Sequence, residues 1–310
     1  MGSTSYPERA GASPASSLVL LCVGAFAALV QAGCAGEADA GDEGGAREGS
    51  AAMPIRDGYA DLFRDAVVGL RMFGERGRRT CSGVLIAPNL VLTAQHCVAQ
   101  SPGRIACTTA TFGDLVEPDR VHVTSSVLIC ERCDTPWFSV SEVVRPPGDD
   151  DRVCGNDIAL LVLDSPVPSA YATPLSPRLD EPPDEGELYS AVGFGRTHAL
   201  RSDSGVRRNL DWLRVACVGA GCGEDHRVAP SEWRGETGAC KGDSGGPALD
   251  VFEQVIGVSS RGRADCDRPI YTGLVAHREW IRDEAWRAAS IGGYAPPAWI
   301  TDGVMAEAAD

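Results

Sequence analysis

The sequence predicts an all-β protein, built as a β-sandwich or a β-barrel. Short runs of β-branched and other apolar residues alternate with clusters of Gly, Pro and Asp, as expected of many short strands joined by turns. Signals for helices are sparse, and the clearest is residues 277–289, where apolar residues recur at helical spacing among charges. The strand-like runs include residues 84–86, 91–93 and 255–258.

The length and composition fit one folded domain with a separate leader. The chain has 310 residues, 44% of them hydrophobic, and this suffices for a buried core in a domain of roughly 200–250 residues. Its formal net charge is -15 at pH 7. Because nucleic acids and anionic membranes attract basic surfaces, this charge argues against both as partners.

Residues 1–34 are expected to be a secretory signal peptide. An apolar run over residues 16–32 follows a short polar segment with one arginine, which matches a signal sequence better than a membrane span. Cys34 also resembles the acylated cysteine of bacterial lipoproteins, although Gln31 stands where that motif usually has leucine. Two locations therefore stay open: secretion after simple cleavage behind a small residue such as Ala32, or lipid anchoring at a bacterial cell envelope through Cys34.

The rest of the chain divides into a linker, a domain and a tail. Residues 35–54 are rich in Ala, Gly and acidic residues and lack aromatic and branched aliphatic side chains, so they cannot contribute to a packed core. We interpret them as a tether or a propeptide. The folded domain is expected over residues 55–290, and residues 291–310 form a C-terminal tail with no assigned role.

Ten cysteines follow the leader, and an exported chain is expected to oxidise them to disulfides. Cys130 and Cys133 form a C-x-x-C pair that would also suit zinc, but no second C-x-x-C lies nearby. Disulfides are therefore the expected state, and no metal site is predicted.

The strongest local signal for chemistry is the segment GDSGGP, residues 242–247. Glycines around Ser244 let the backbone turn sharply, expose the hydroxyl and leave amide N–H groups free for a developing oxyanion. A serine hydroxyl alone is a poor nucleophile, because it needs an adjacent base, and the base needs a third group to orient it. A histidine and an acid must therefore be sought elsewhere in the chain.

His96 is the best candidate for the base among the five histidines. It ends an apolar run in the segment LTAQHC and adjoins Cys97, which can pin it. The others stand among polar or charged neighbours, and each is expected to be an ordinary surface residue: His122, His198, His226 and His277.

Asp157 is the candidate for the acid. It precedes the run IALLVL, residues 158–163, whose continuous apolar character predicts a fully buried strand. An isolated buried carboxylate is costly, so Asp157 should be paired, and a histidine N–H would satisfy it. The alternative is an aspartate that only caps the turn before the strand.

Along the chain the three residues come in the order His96, Asp157, Ser244, and the three segments that carry them resemble the trypsin/chymotrypsin-like serine proteases, of the type that bacteria secrete. TAQHC is similar to the family's TAAHC, NDIALL to its D-I-A-L-L strand, and GDSGGP to its nucleophile motif. The resemblance covers residues 55–289. It implies two six-stranded antiparallel β-barrels with a C-terminal helix, a triad of Ser244, His96 and Asp157 between the barrels, and oxyanion N–H groups from Gly242 and Ser244. It also implies a serine-type endopeptidase that cleaves proteins or peptides through an acyl-enzyme. No cofactor is implied, and we expect a monomer.

Further matches imply disulfides and a substrate-binding strand. CSG at residues 81–83 corresponds to the family's CGG and implies a Cys81–Cys97 bridge beneath the histidine, and Cys240–Cys266 falls where a bridge closes the specificity pocket. Ser260 lies in the strand that would bond the aspartate and pair with substrate. For the other six cysteines we favour Cys217–Cys222, Cys107–Cys154 and Cys130–Cys133.

The pocket residues differ from those of trypsin. Six residues before the nucleophile, trypsin-like members carry an aspartate that binds Lys or Arg, and here that position is Gly238. By the resemblance, Gly238 and Gly262 together imply an open, neutral pocket for an apolar side chain. Pro269, with Arg261 and Arg263 at the rim, leaves an acidic side chain open as the alternative. Arg261 also replaces the family's tryptophan beside the pocket.

The resemblance implies activation by cleavage, with Ile55 as the new amino terminus and Asp243 as the carboxylate that pairs with it. In the family, cleavage frees an Ile or Val amine that pairs with the aspartate before the nucleophile and orders the oxyanion loop. Here IRDG at residues 55–58 stands where the family has IVGG, with two residues divergent and a proline before the bond. We therefore expect a zymogen that is activated by cleavage before Ile55.

Two other functions fit parts of the sequence. Residues 242–246 also match the G-x-S-x-G elbow of an α/β-hydrolase, but that fold needs both its acid and its histidine after the serine, and only His277 follows. The other alternative is a catalytically silent protease homologue that acts as a binding protein. Such proteins usually lose a triad member, whereas all three candidates are present here.

Overall fold

The computed structural model describes residues 58–300, except 75–76, 104, 131–132, 149, 199 and 224–226. The predicted signal peptide with Cys34, the linker and the activation residue Ile55 lie outside the described residues, and so do residues 301–310. What the sequence predicts for those segments stays a prediction.

Antiparallel strands dominate the described chain, as the sequence predicts. The strands are β1 (Tyr59–Ala60), β2 (Val67–Gly74), β3 (Gly77–Ala87), β4 (Leu90–Thr93), β5 (Val121–Thr124), β6 (Phe138–Val144), β7 (Ala159–Leu163), β8 (Leu188–Gly193), β9 (Arg208–Val218), β10 (Glu232–Gly235), β11 (Pro247–Leu249), β12 (Val255–Arg261) and β13 (Ile270–Thr272). The helices are α1 (Gln95–Val98) and α2 (Arg278–Gly292), with short 3-10 turns at Pro118–Arg120, Gly219–Cys222, Val275–His277 and Ala298–Ile300.

The first barrel is a closed ring of six antiparallel strands in the order β2, β3, β4, β7, β6 and β5, with β5 pairing back onto β2. β7 carries the apolar run that the sequence predicts to be buried, and all five of its residues are buried. β4 is equally buried and pairs with β7, so that Thr93 lies opposite Ala159. Because both faces of these strands are covered, their ends are held rigidly by the core.

The second barrel is a ring of β8, β9, β10, β13, β12 and β11, closed by the pairing of β8 with β9. β9 is long enough to pair with two strands along the same edge. Its C-terminal half pairs with β10, and its first residues pair with the short β1. In the interior, Trp233 stacks on Tyr271 at 4.3 Å, and Tyr189 meets both edge-on. The expectation of two six-stranded barrels is confirmed.

The helix predicted for residues 277–289 is confirmed as α2. Its buried residues Ile281, Ala285 and Ala288 recur at helical spacing and join the core cluster that contains the interior of the first barrel. The helix ends before Gly293, whose φ of 69° supplies the left-handed turn common behind a helix. Within the described residues, no helix combines the length and the apolar character that crossing a bilayer requires.

His277 is buried, so its prediction as an ordinary surface residue is wrong. Its side chain packs edge-on against Trp280, with ring centres 6.3 Å apart, and Nε2 donates a hydrogen bond to the Gly155 carbonyl at 3.0 Å. Burial lowers the pKa of His277, and the bond to Gly155 acts in the opposite direction. The charged residues that follow it lie on the exposed face of α2, which is why the local sequence looks like a surface.

Residues 294–300 pack against the first barrel. The Tyr294 hydroxyl donates a hydrogen bond to Asn89 Oδ1 at 2.6 Å, and Trp299 Nε1 donates to the Ile86 carbonyl at 3.3 Å. Ile300 is buried in the same core cluster. This part of the predicted tail therefore contributes to the stability of the domain.

A buried arginine fastens the start of the described chain. Arg207 donates hydrogen bonds to the carbonyl oxygens of Asp61 at 3.1 Å, Val67 at 3.1 Å and Ser125 at 3.0 Å. Burial lowers the pKa of its guanidinium, although the charges of two nearby carboxylates oppose this shift. Because Tyr59 in β1 also pairs with β9, the path of the chain is fixed from residue 59 onward.

Replacement of Trp299 by alanine should destabilise the domain. The change Trp299→Ala removes a hydrogen bond and partly buried apolar surface, so we expect the free energy of unfolding to fall by about 1–3 kcal/mol in urea titrations. The matched control is Trp286→Ala, because that side chain is 54% exposed on α2, and it should change stability by no more than about 0.5 kcal/mol. Equal effects of the two changes would show that the segment is not anchored by Trp299.

Candidate active site

His96 and Asp157 meet because the strands that lead to them are neighbours. β4 ends at Thr93 and β7 begins at Ala159, and these two residues are paired. His96 lies on α1 just past the end of β4, and Asp157 lies just before the start of β7. The Asp157 carboxylate accepts hydrogen bonds from His96 Nδ1 at 2.8 Å and from the His96 main-chain N–H at 2.9 Å. With Nδ1 donating, Nε2 is the ring nitrogen left to accept a proton.

The second barrel completes the surroundings of Asp157. Ser260 on β12 donates its hydroxyl to Asp157 Oδ2 at 2.5 Å, and Thr272 on β13 donates to the Asp157 carbonyl at 3.1 Å. Burial by itself raises the pKa of the fully buried Asp157, but the charge and hydrogen bonds of His96, with the bond from Ser260, hold that pKa below its usual value. The carboxylate is therefore ionised, and it does more than cap a turn.

Ser244 lies in the loop between β10 and β11, where the chain touches both barrels. Its carbonyl accepts a hydrogen bond from the Ser82 N–H of β3 at 2.8 Å, and Gly245 N–H donates to the Ser259 carbonyl of β12 at 2.8 Å. Ser244 and His96 line the same cavity, which has a volume of about 800 Å³. Among the contacts of the described residues, none is a hydrogen bond between the Ser244 hydroxyl and His96; such bonds are often long before substrate binds.

Asp243 shapes the loop in front of Ser244. Its buried carboxylate accepts hydrogen bonds from the N–H groups of Gly195 at 2.7 Å and Cys240 at 2.8 Å. A Cβ at position 195 would overlap the carboxylate, so this close approach requires glycine. Gly242 has a φ of 106°, which a side chain would disfavour. No described residue accepts a hydrogen bond from the amides of Gly242 and Ser244, so both are available as donors.

The charge state of Asp243 is set by its burial. Burial raises the pKa of Asp243 to about 7, against the effect of its two N–H donors and of the nearby Arg208 charge. The Arg208 guanidinium donates to the Gly195 carbonyl at 3.4 Å and forms no ion pair with Asp243. Within the described residues, no cation is paired with this carboxylate.

Ser82 is a site residue that the sequence alone did not reveal. Its buried hydroxyl donates to the Gly242 carbonyl at 2.9 Å and accepts a hydrogen bond from the Phe194 N–H at 2.9 Å. The first barrel is thereby tied to the loop that carries Ser244 and to the chain just after β8. The available signal was a serine in the middle of β3, directly before a run of buried residues.

Five disulfides join the ten cysteines of the domain, in the pairs that the sequence analysis favours. Cys130 and Cys133 are bonded to each other, so they are not free thiolates for zinc. Cys97 adjoins His96, and Cys240 and Cys266 both line the cavity. The pairs are Cys81–Cys97, Cys107–Cys154, Cys130–Cys133, Cys217–Cys222 and Cys240–Cys266.

The residues predicted to bind substrate are divided between the cavity and its surroundings. Gly238 is buried next to Leu213 and Ala191 and does not line the cavity. Pro269 lies behind Gly262 and does not line it either. The predicted residues that do line it are Ser260, Arg261 and Gly262.

A buried carboxylate, which the sequence did not point to, holds Arg261. The guanidinium donates to Glu232 Oε1 at 2.7 Å and to Glu232 Oε2 at 2.6 Å, and the Glu232 side chain is fully buried. The same group donates to Ser260 Oγ at 3.1 Å and to the Arg227 carbonyl. A buried pair of this kind keeps its partners, because separating them would leave an uncompensated charge. The Arg261 charge is therefore compensated within the protein by Glu232.

Two closed six-stranded barrels, with a histidine, an aspartate and a serine gathered where they meet, define the two-barrel class of serine proteases. The family model described as Trypsin matches residues 64–281. The chain therefore belongs to the Trypsin family, a family of serine-type endopeptidases.

Known relatives agree with this assignment. Human granzyme M is 30% identical over 237 residues, which cover 69% of this chain and 82% of that protein. Mouse kallikrein 1-related peptidase b22 is 30% identical over 222 residues, which cover 66% of this chain and 79% of that protein. Human serine protease 56 is 27% identical over 233 residues, but the chain spans only 36% of its length. These relatives are animal proteins, so the bacterial type suggested by the sequence stays a prediction.

The stability of the full-length chain should depend on pH through Asp243. The pKa of Asp243 is about 7 in the folded chain, whereas an unfolded aspartate titrates near about 3.9. Between these values the folded chain holds a proton that the unfolded chain has released. The contribution of Asp243 to the free energy of unfolding should therefore be largest below about pH 4 and fall toward pH 7, with a slope of about 1.4 kcal/mol per pH unit. Carboxylates whose pKa is lowered, such as Asp157, contribute in the opposite direction as the pH falls toward their own range.

Urea unfolding at intervals of pH measures this slope. The variant Asp243→Asn should lose this part of the pH dependence, because its side chain does not titrate. If both proteins gave the same profile between pH 4 and 7, Asp243 would not be the group responsible.

Proposed function

We propose that this chain is a secreted endopeptidase that hydrolyses peptide bonds, with Ser244 as nucleophile, His96 as general base and Asp157 as its orienting partner. The observation that supports this most strongly is the pair of hydrogen bonds from His96 to the buried Asp157. Such a carboxylate orients the imidazole and stabilises the imidazolium that forms during proton transfer. Of the described histidines, only His96 lines the cavity that holds Ser244.

In the proposed mechanism, His96 moves protons between Ser244, the leaving group and water. Nε2 takes the hydroxyl proton as Ser244 Oγ attacks the peptide carbonyl carbon, and the amides of Gly242 and Ser244 donate hydrogen bonds to the oxyanion. His96 then protonates the leaving amine as the C–N bond breaks, which leaves an acyl-enzyme. Water, deprotonated by His96, releases the carboxylic acid and restores Ser244. The reaction needs no cofactor.

The proposed primary specificity is for a neutral or apolar side chain, not for Lys or Arg. No Asp or Glu side chain lines the cavity in the part of the chain that the structure describes. Ala239, Gly262 and the Cys240–Cys266 bridge give it small or apolar surface. A buried positive charge on the substrate would have no carboxylate to compensate it, and burying an unpaired charge is costly.

A binding protein without catalytic activity is the second candidate. The observation that favours it is the missing hydrogen bond between the Ser244 hydroxyl and His96 among the described contacts. The two candidates differ in one property, because only the enzyme has an activated serine hydroxyl. Covalent labelling therefore separates them.

A fluorophosphonate should label the processed protein at Ser244, as located by mass spectrometry of the labelled peptide. Both Ser244→Ala and His96→Ala should abolish labelling and lower kcat/KM for peptide hydrolysis by about 10⁴-fold or more, because only binding and the oxyanion hole remain. The matched control His122→Ala alters a histidine on β5, outside the cavity, and should label normally. Absence of labelling, or labelling that survives His96→Ala, would favour the binding protein.

Export and activation are part of the same proposal. We place the mature enzyme outside the cell or, through a lipid on Cys34, at the cell envelope, and we expect it to be monomeric. The buried and unpaired carboxylate of Asp243 supports activation by a new amino terminus, because a freed α-amino group at Ile55 would supply the missing cation.

N-terminal sequencing of the fluorophosphonate-labelled enzyme should give Ile55 as the first residue. Pairing with the new amine favours the ionised carboxylate, so cleavage should also lower the pKa of Asp243 and remove the fall in stability toward pH 7. A labelled enzyme that begins at any other residue would contradict activation at Ile55. Blocking the cleavage without loss of labelling would do the same.

A further inference from the structure

The cavity that holds Ser244 and His96 is basic, although the chain as a whole carries a net charge of -15. Cationic side chains surround it, and no acidic side chain of the described residues lines it. A local field of this sign concentrates anionic ligands at the opening of a cleft. The cationic residues that line the cavity are Arg196, Arg227, Lys241, Arg261 and Arg263.

Two of these cations already have carboxylate partners. Arg261 is bound by the buried Glu232. Arg263 pairs with Asp265 at 3.1 Å, and both side chains are about half exposed. These two charges are therefore largely neutralised within the protein before a substrate arrives.

Lys241 and Arg196 differ, because neither side chain forms a hydrogen bond or an ion pair with another described residue. The main chains of the two residues are adjacent, since the Arg196 N–H donates to the Lys241 carbonyl at 3.0 Å. Lys241 is exposed and Arg196 is half-buried. Both cations are thus available to a ligand in the cavity.

The main chain beneath these two cations is held by one carboxylate. Gly195, directly before Arg196, and Cys240, directly before Lys241, donate the two hydrogen bonds that Asp243 accepts. Lys241 also precedes Gly242, the proposed oxyanion donor. The main chain that carries the two cations is therefore held next to the position where the scissile carbonyl would lie.

We propose that the enzyme selects acidic polypeptides, whose Asp or Glu residues near the scissile bond contact Lys241 and Arg196. This inference rests on the proposed function and adds the substrate class to it. The acidic residues flank the cleaved position, so the primary pocket itself stays neutral. A carboxylate beside two unpaired cations gains favourable interactions that an amide of the same shape does not.

Matched peptide pairs test this on the enzyme obtained by processing the full-length chain, with active sites counted by fluorophosphonate titration. The two peptides of a pair differ only by Glu or Gln at one position on either side of the scissile bond. At about 0.01 M salt we expect kcat/KM to favour Glu by at least about fivefold at one or more positions. At about 1 M salt the preference should vanish, because the Debye length falls from about 30 Å to about 3 Å.

The double variant Lys241→Gln/Arg196→Gln should bring the Glu-to-Gln ratio within about twofold of one at low salt. The charge-matched control Arg278→Gln/Arg287→Gln removes two positive charges from α2, outside the cavity, and should keep the preference. An effect of net charge alone would lower the ratio equally in both variants and would overturn the inference.

Two failures are distinguishable. If the enzyme labels at Ser244 and cleaves Gln peptides as well as Glu peptides, the acidic preference is wrong and the proposed function stands. If the processed protein neither labels nor cleaves any peptide, the proposed function fails and the inference falls with it.

Discussion

The buried charge of Asp157 is the constraint to which the rest of the site conforms. A fully buried carboxylate is tolerated only when hydrogen bonds compensate it, and its donors come from both barrels: His96 beside the first, and Ser260 on a strand of the second. The orientation of His96 therefore depends on how the barrels pack, not on a flexible loop. Loss of either donor would leave the buried carboxylate with one hydrogen bond fewer and its charge less well compensated.

The same constraint extends into the chain before Asp157. Gly155 N–H donates to Glu232 Oε1 at 2.8 Å, and the Gly155 carbonyl accepts from His277. Glu232 in turn binds Arg261, which reaches Ser260. Where the family has a tryptophan, this chain thus has a buried ion pair that joins the support of the aspartate to one wall of the cleft. Within this pair Glu232 compensates the Arg261 charge, whereas Lys241 and Arg196 line the same cavity without a carboxylate partner among the described residues.

The features that were predictable from sequence are those with a local signal. The run after Asp157, the glycines around Ser244 and the apolar stretch before His96 each carry their meaning within a few residues. His277, Ser82 and Glu232 were missed because their roles come from partners far along the chain, separated by 122, 160 and 29 residues respectively. In the linear sequence, nothing beside such a histidine, serine or glutamate indicates its distant partner.

The path fixed by Arg207 and β1 also limits where a new amino terminus can go. Tyr59 pairs with β9, whose first residue Arg208 reaches the Gly195 carbonyl beside Asp243. Ile55 lies four positions before Tyr59, and an extended chain over that interval spans at most about 14 Å. A terminus freed at Ile55 would stay within about 14 Å of Tyr59. Its effective concentration near the Asp243 carboxylate would therefore reach the millimolar range of short tethers. Capture would then be intramolecular and independent of how dilute the enzyme is.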